Sequence, residues 1–253
     1  MDSFDNPFVV LALALLAQWL AAYLGDLFRK TMRPLKEDEH ADLDLVRTAT
    51  LTLLGLVIGF SFAMAVSRYD QRKNLEEAEA NAIGTEYVRA DLLPSADAEK
   101  VRELLRKYLD QRVAFYVARS RDQIDRINAE TAKLQADLWS TVVRAVTPQR
   151  TAVEALVIAG MNDVLNSQGY TQAAWWNRIP VAAWGLMGLI AISCNLLFGY
   201  GERRTSALAL VLPLIVSTAF FLIADIDNPR AGVIRVQPQN LLALAQTMKP
   251  TAP

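Results

Sequence analysis

The side chains best suited to chemistry are few and solitary. The chain has one histidine, His40, and one cysteine, Cys194. A single histidine in what reads as a short charged loop supplies neither a His–His metal pair nor the partnership that histidine catalysis needs. Cys194 lies in an apolar run, where a thiol packs as a small hydrophobe, and one cysteine allows no disulfide within the chain. Phosphate loops, zinc signatures and nucleophile motifs are absent from the sequence. It therefore predicts no enzyme, no cofactor and no metal centre of the His or Cys kind.

What remains is polarity in expensive places. Gln18 and Asn195 fall deep in apolar runs, where they are expected to hydrogen-bond between helices or protomers. Ser61 and Ser217 can bond back to their own helix and need no other role. Asp26 and Asp225 stand at the ends of such runs. Asp225, Asp227 and Asn228 form a small set of oxygen ligands before Pro229. They suit either part of a cation site or a turn in which Asn-Pro stops a helix. Two carboxylates fall short of the roughly six to eight oxygens that calcium takes, which favours the turn. From Arg68, a dense charge run continues through Asp70, Arg72, Lys73, Glu76, Glu77 and Glu79. One reading is a helix surface laced by four-residue pairs such as Asp70 with Asn74 or Lys73 with Glu77. The other is a vestibule, with Arg68, Asp70 and Arg72 at its mouth, that favours one sign of ion. Both signs are present, so selectivity is not readable.

The elements that would position these residues are helices in a membrane. Of 253 residues, 53% are hydrophobic and yet 21% are charged, with a net charge of -1. The two fractions fit together only because the apolar residues are blocked rather than scattered. The small net charge gives no argument for nucleic acid. Blocks at about 8–27, 48–66, 179–200 and 206–226 are each long enough to cross a ~30 Å hydrocarbon layer. The leader MDSFDNP is acidic, unlike a secretory signal, so the first block is expected to be retained. Trp19, Tyr23, Trp175, Trp176, Trp184 and Tyr200 lie near block ends, as interfacial anchors do. Pro213 within the fourth block is tolerable in a membrane helix.

The expected organisation is all-α: a transmembrane hairpin over 1–66, a helical domain over 67–178, a second hairpin over 179–226 and a tail over 227–253. Ser95 to Val146 reads as long helix capped by Ser95, with Leu104, Leu105, Tyr108, Arg112, Phe115 and Arg119 at three- and four-residue intervals. Charge alternation over Arg119 to Lys133 signals either a solvated face or a break into two helices. Thr147-Pro148 would open a further helix ending near Gly169. Four spans put both termini and the middle domain on one side. The positive-inside rule is evenly balanced: Arg29, Lys30, Arg33, Lys36, Arg47, Arg203 and Arg204 face Arg68, Arg72, Lys73, Arg178, Arg230 and Arg235.

Two stretches carry a resemblance. GLVIGFSFAMAVSRYDQRKNLEEAEANAIGTEYVRADLLP, from Gly55 to Pro94, and FFLIADIDNPRAGVIRVQPQNLLAL, from Phe220 to Leu244, resemble the bestrophin-like domain family of bacterial membrane proteins. More distantly they are similar to bestrophin ion channels. Tyr69, Asp70 and Arg72 look like a looser form of the aromatic-Asp-Arg segment at the end of the bestrophin second span, with Gln71 inserted and the following Trp-Trp missing. Ile223 to Pro229 is similar to the acidic stretch leading into Asn-Pro after the last bestrophin span, a region that in bestrophins binds calcium. The resemblance implies a four-span protomer of the bacterial inner membrane with both termini and the middle domain cytosolic. It also implies a homo-oligomeric ring, usually of five, around an axial pore, with inorganic ions and the lipid bilayer as partners.

An axial pore needs a span with a small or apolar face whose neighbours can approach closely. In the second span Gly55, Gly59 and Ala63 form a row that lets backbones pack. Leu56, Phe60 and Met64 stand at four-residue spacing beside it. Carrying the bestrophin hydrophobic neck over through Arg72 lands on these three residues, whereas Arg68 as the anchor gives Thr52, Leu56 and Phe60. A narrow apolar ring of this kind gates by dewetting. The same stripe also suits helix packing or a lipid-facing surface. The expected function is an oligomeric ion channel; the competing class is a non-conducting scaffold or signalling protein whose cytosolic helices bind a partner.

Overall fold

The computed structural model describes residues 6–31, 37–147, 152–201 and 210–249. Among them every regular element is a helix: α1 (Pro7–Thr31), α2 (Glu37–Arg89), α3 (Ser95–Val117), α4 (Arg121–Val146), α5 (Ala152–Trp176), α6 (Val181–Gly201), α7 (Val211–Asp227) and α8 (Gln239–Thr247). A single 3₁₀ turn, Ala90–Leu92, follows α2. Three helical stretches, Pro7–Thr31, Glu39–Leu92 and Ala152–Gly201, each contain a segment long and apolar enough to cross a membrane. Helix α7 has 17 residues, and the expected start of the fourth span at Ser206 lies outside the described residues. So do Arg33, Lys36, Arg203 and Arg204 of the charge balance, and Pro148.

Several boundaries differ from expectation. His40 is not in a loop but in the first turn of α2, which runs unbroken for 53 residues through the expected domain border. The long helix from Ser95 breaks at Ala118–Ser120. Ser120 accepts from the Gln123 backbone N–H while the Gln123 side chain accepts from the Ser120 N–H, a capping box that starts α4. Ser95 opens α3 without capping it. Thr147 ends α4, its N–H donating to the Val143 carbonyl, and α5 runs past Gly169 to Trp176.

The chain divides into two compact units. The first, residues 1–68 with 178–235, is built on α1 packed against α6 and α7. The α1–α6 approach is close enough to require glycine on both sides. A Cβ on Gly25 would strike the backbone of Leu196 and Tyr200, and one on Gly199 would strike the backbone of Ala22. Within this contact Asn195 donates to Gln18 Oε1 (3.0 Å), and Gln18 donates to Ser217 Oγ (2.9 Å). Ser217 thus accepts from another helix, contrary to the expectation that it serves only its own. The network ties α1, α6 and α7 together where lipid offers no alternative partner. Arg47 of α2 donates to the Phe198 (2.8 Å) and Leu197 (3.0 Å) carbonyls near the end of α6, where helix carbonyls lack intrahelical donors.

The second unit, residues 69–177 with 236–253, packs the remainder of α2 with α3, α4, α5 and α8. Its core includes Ile83, Val101, Leu105, Tyr108, Phe115, Leu138, Val157 and Met161. Trp175 belongs to this core rather than to an interfacial belt, its ring 5.0 Å from Phe115 and 5.4 Å from Tyr116. Arg112, in the middle of the apolar stripe of α3, is fully buried and donates through Nε to Glu79 Oε1 at 2.5 Å. Tyr116 and Thr171 also donate to Glu79 Oε2, at 3.4 and 3.3 Å.

Candidate pore-lining helix and the carboxylate staple

The α2 segment in the first unit buries one stripe, Leu54, Ser61 and Ala65, at four- and seven-residue steps. The opposite surface is open. Leu56 is 53% exposed, Phe60 62% and Met64 39%. Gly55 and Gly59 have nothing within 4 Å of the position a Cβ would occupy. Among the described residues the glycine row therefore makes no helix contact, whereas Gly25 and Gly199 do. Among the described residues a row that packs against nothing lies on one helix beside a partly exposed apolar stripe.

One turn beyond Met64, Arg68 lies beside a knot of hydrogen bonds at the end of α7. The Asp227 carboxylate accepts from the Ile179 N–H at 3.1 and 3.2 Å and lies 3.5 Å from Arg68 Nη1. The Asp225 carboxylate accepts from the Val233 and Ile234 N–H groups at 2.6 and 2.8 Å. Asn228 Oδ1 accepts from the Arg230 and Ala231 N–H groups at 3.0 and 3.1 Å, forming an Asx turn. Gly232 is required here, since a Cβ would fall 2.4 Å from the Asp225 carbonyl oxygen. All three side chains are buried. The arrangement is a staple: charged oxygens satisfy backbone donors where the chain reverses after α7. Among the described residues no group of three or more His, Cys, Asp or Glu side chains is arranged to hold a metal.

The three charges expected at a vestibule mouth part company. Arg68 is engaged with Asp227. Asp70 is exposed on the second unit. Arg72 is 1% exposed and donates to the Ala174 and Asn177 carbonyls at 3.2 Å, capping the end of α5. A guanidinium can finish a helix C-terminus with several donors at once, so it is turned inward rather than toward a mouth. Lys73 and Glu77 are both exposed. Glu76 instead points inward, accepting from the Leu241 N–H (2.9 Å) and Asn240 Nδ2 (2.6 Å) at the start of α8. Sequence reasoning missed the roles of Glu76, Glu79 and Arg47. Arg112 inside an apolar stripe was the one available signal for a buried pair.

These features define an all-helical protein with membrane-crossing helices, an unpartnered apolar face on its second helix and a stapled turn after its last long one. The chain belongs to the Bestrophin-like family, whose domain model matches residues 12–241. No curated protein matches. Among solved structures it is similar to a bacterial bestrophin homolog from Klebsiella pneumoniae. One single-residue variant of that homolog has a TM-score of 0.62 and 13% identity, covering 95% of this chain and 94% of that one. A second variant has a TM-score of 0.63 and 12% identity, covering 94% of each. A structure described as a membrane protein has a TM-score of 0.64 and 12% identity, covering 96% of this chain and 94% of that one. The likeness establishes the fold over nearly the whole chain.

Proposed function

We propose that this chain is the protomer of a bestrophin-like ion channel: a homo-oligomeric ring, five-fold by family resemblance, whose α2 helices surround an axial pore. In this reading there are four spans, with α7 in the fourth. The bacterial inner membrane holds the ring, and the helical unit and both termini are cytosolic. Leu56, Phe60 and Met64 form the neck, and its gate is the dewetting of a narrow apolar ring. Gly55, Gly59 and Ala63 admit the neighbouring copy. Asp70 is the charge left free to face ions.

The observation that carries this reading is the open face of α2. A soluble monomer would not leave Leu56 and Phe60 more than half exposed beside bare glycines on one helix. In a membrane one such face meets lipid or another copy, and a ring supplies the copy. Family membership makes a ring the natural assembly. The Asp227–Arg68 pair would then fix the α2 exit to the end of α7 in every protomer.

The test is ion flux in liposomes from purified protein, together with the mass of the detergent-extracted assembly. Wild type should run as a closed oligomer and pass monovalent ions. Phe60→Ala should raise the flux several-fold by widening the apolar ring. A monomeric mass, or wild type and Phe60→Ala equally silent, would overturn the proposal in favour of a non-conducting scaffold.

A further inference from the structure

Every buried charge on the second half of α2 has a partner except one. Glu86 is 0% exposed, and neither carboxylate oxygen has a hydrogen-bond partner. Its carboxylate occupies a notch on α5 that exists because residue 160 is glycine: a Cβ there would fall on Glu86 Oε2 and 2.5 Å from Arg89 Nη1. The neighbouring polar groups do not complete the site. Arg89, one turn along α2, donates to the Leu156 carbonyl at 3.4 Å. Asp163 on α5 adds like charge. Tyr108 of α3 donates to the Val164 carbonyl at 3.5 Å. Asp91 of the 3₁₀ turn is paired with Arg102 of α3.

We propose that Glu86 is a proton-binding site that sets how tightly α5 packs on α2: the neutral carboxyl fits the notch over Gly160, and its ionisation loosens that contact. A neutral carboxylic acid tolerates a dry notch. An ionised one lacking donors does not, and draws water or displaces the helix. Burial pushes the Glu86 carboxyl up to about 8, with Asp163 adding to the rise and Arg89 opposing it. The group is therefore mostly neutral at pH 7 and completes its ionisation on the mildly alkaline side. Below the ordinary carboxylate range folded and unfolded chains both hold the proton. Between there and about 8 only the folded chain holds it, so stability falls as pH rises through that window and levels off above it. This inference concerns the helical unit and stands whether or not the chain conducts.

The experiment is a thermal-stability titration of the full-length, detergent-solubilised protein, wild type against Glu86→Gln. The wild-type midpoint relative to the variant should fall by roughly 3 °C per pH unit between about pH 5 and about pH 8, then level. Infrared spectra should show a protonated carboxyl band at neutral pH that fades in alkali and is missing from Glu86→Gln. Should that variant fail to accumulate, Asp163→Asn serves instead, and must move the loss of the band to lower pH. Parallel titrations of wild type and Glu86→Gln would overturn the proposal, as would the absence of a protonated band at neutral pH. A transition that follows sodium or potassium concentration at fixed pH would also overturn it, identifying a cation site in place of a proton site.

Discussion

Helix α2 is continuous, yet its two halves place their side chains in opposite ways. Between Thr48 and Val66 the large apolar residues Leu56, Phe60 and Met64 face outward, and a narrow stripe of Leu54, Ser61 and Ala65 is buried. Between Tyr69 and Arg89 the ionisable residues Arg72, Glu76, Glu79 and Glu86 face inward, none more than 1% exposed. The first half is inside-out for water and right for a bilayer or a second copy of the chain. The second half is costly anywhere unless each charge is individually satisfied. Its inward charges therefore serve as fasteners for other elements: Arg72 for the end of α5, Glu76 for the start of α8, Glu79 for Arg112 of α3. In the proposed ring the open apolar surface is where copies meet, whereas the partnered buried charges join elements within the single chain.

The largest loss is expected at Glu79. Its carboxylate serves Arg112, Tyr116 and Thr171 at once. Glu79→Ala leaves a buried guanidinium uncompensated and should cost about 3–5 kcal/mol, read as loss of the folded protein or a large drop in its denaturation midpoint. Replacing both Glu79 and Arg112 by leucine should recover much of that loss, because no orphan charge remains. A double variant no better than the single would mean that the pair stabilises beyond its own desolvation.

The staple in the first unit should rank second. Asp227→Ala strips the acceptor from the Ile179 N–H and the partner from Arg68, with an expected loss of about 2–4 kcal/mol. Asp227→Asn keeps an acceptor for Ile179 and loses the ion pair, so it should fall between wild type and the alanine variant. If the proposed channel forms, both substitutions should also alter flux, since Arg68 lies one turn past the neck. An unchanged midpoint in Asp227→Ala would show that the staple holds little.

How much of this was legible beforehand follows from where each signal resides. Apolar blocks about twenty residues long have few physical readings, so the helices in the first unit were visible. So was the apolar face of α2, because helical spacing is local. The turn at Asn228-Pro229 was legible for the same reason. The break at Ser120 was written as a Ser-x-x-Gln capping box, but the surrounding charge alternation suited one helix as well as two. The partners of Glu79 lie 33 to 92 residues away, and no local pattern reaches that far. Arg72 was misread because an arginine at a span end looks the same whether it faces ions or the carbonyls of a helix brought beside it by the fold.

The mildest substitutions separate contacts within the chain from contacts between copies. Gly199→Ala drives a methyl group into the Ala22 backbone and should cost about 1–3 kcal/mol, whatever the oligomeric state, since the clash lies within one chain. Gly59→Ala meets nothing within 4 Å in the single chain. There, better helix propensity alone should leave the protomer unchanged or more stable by up to about 1 kcal/mol. Any harm it does must therefore arise between copies. The informative result is a Gly59→Ala protein with an intact thermal midpoint in its monomeric form and a smaller detergent-extracted mass than wild type. That split would assign the open row of α2 to the ring contact, as Gly25 and Gly199 are assigned to the contact within the chain. A wild-type mass with normal flux would return the row to the lipid.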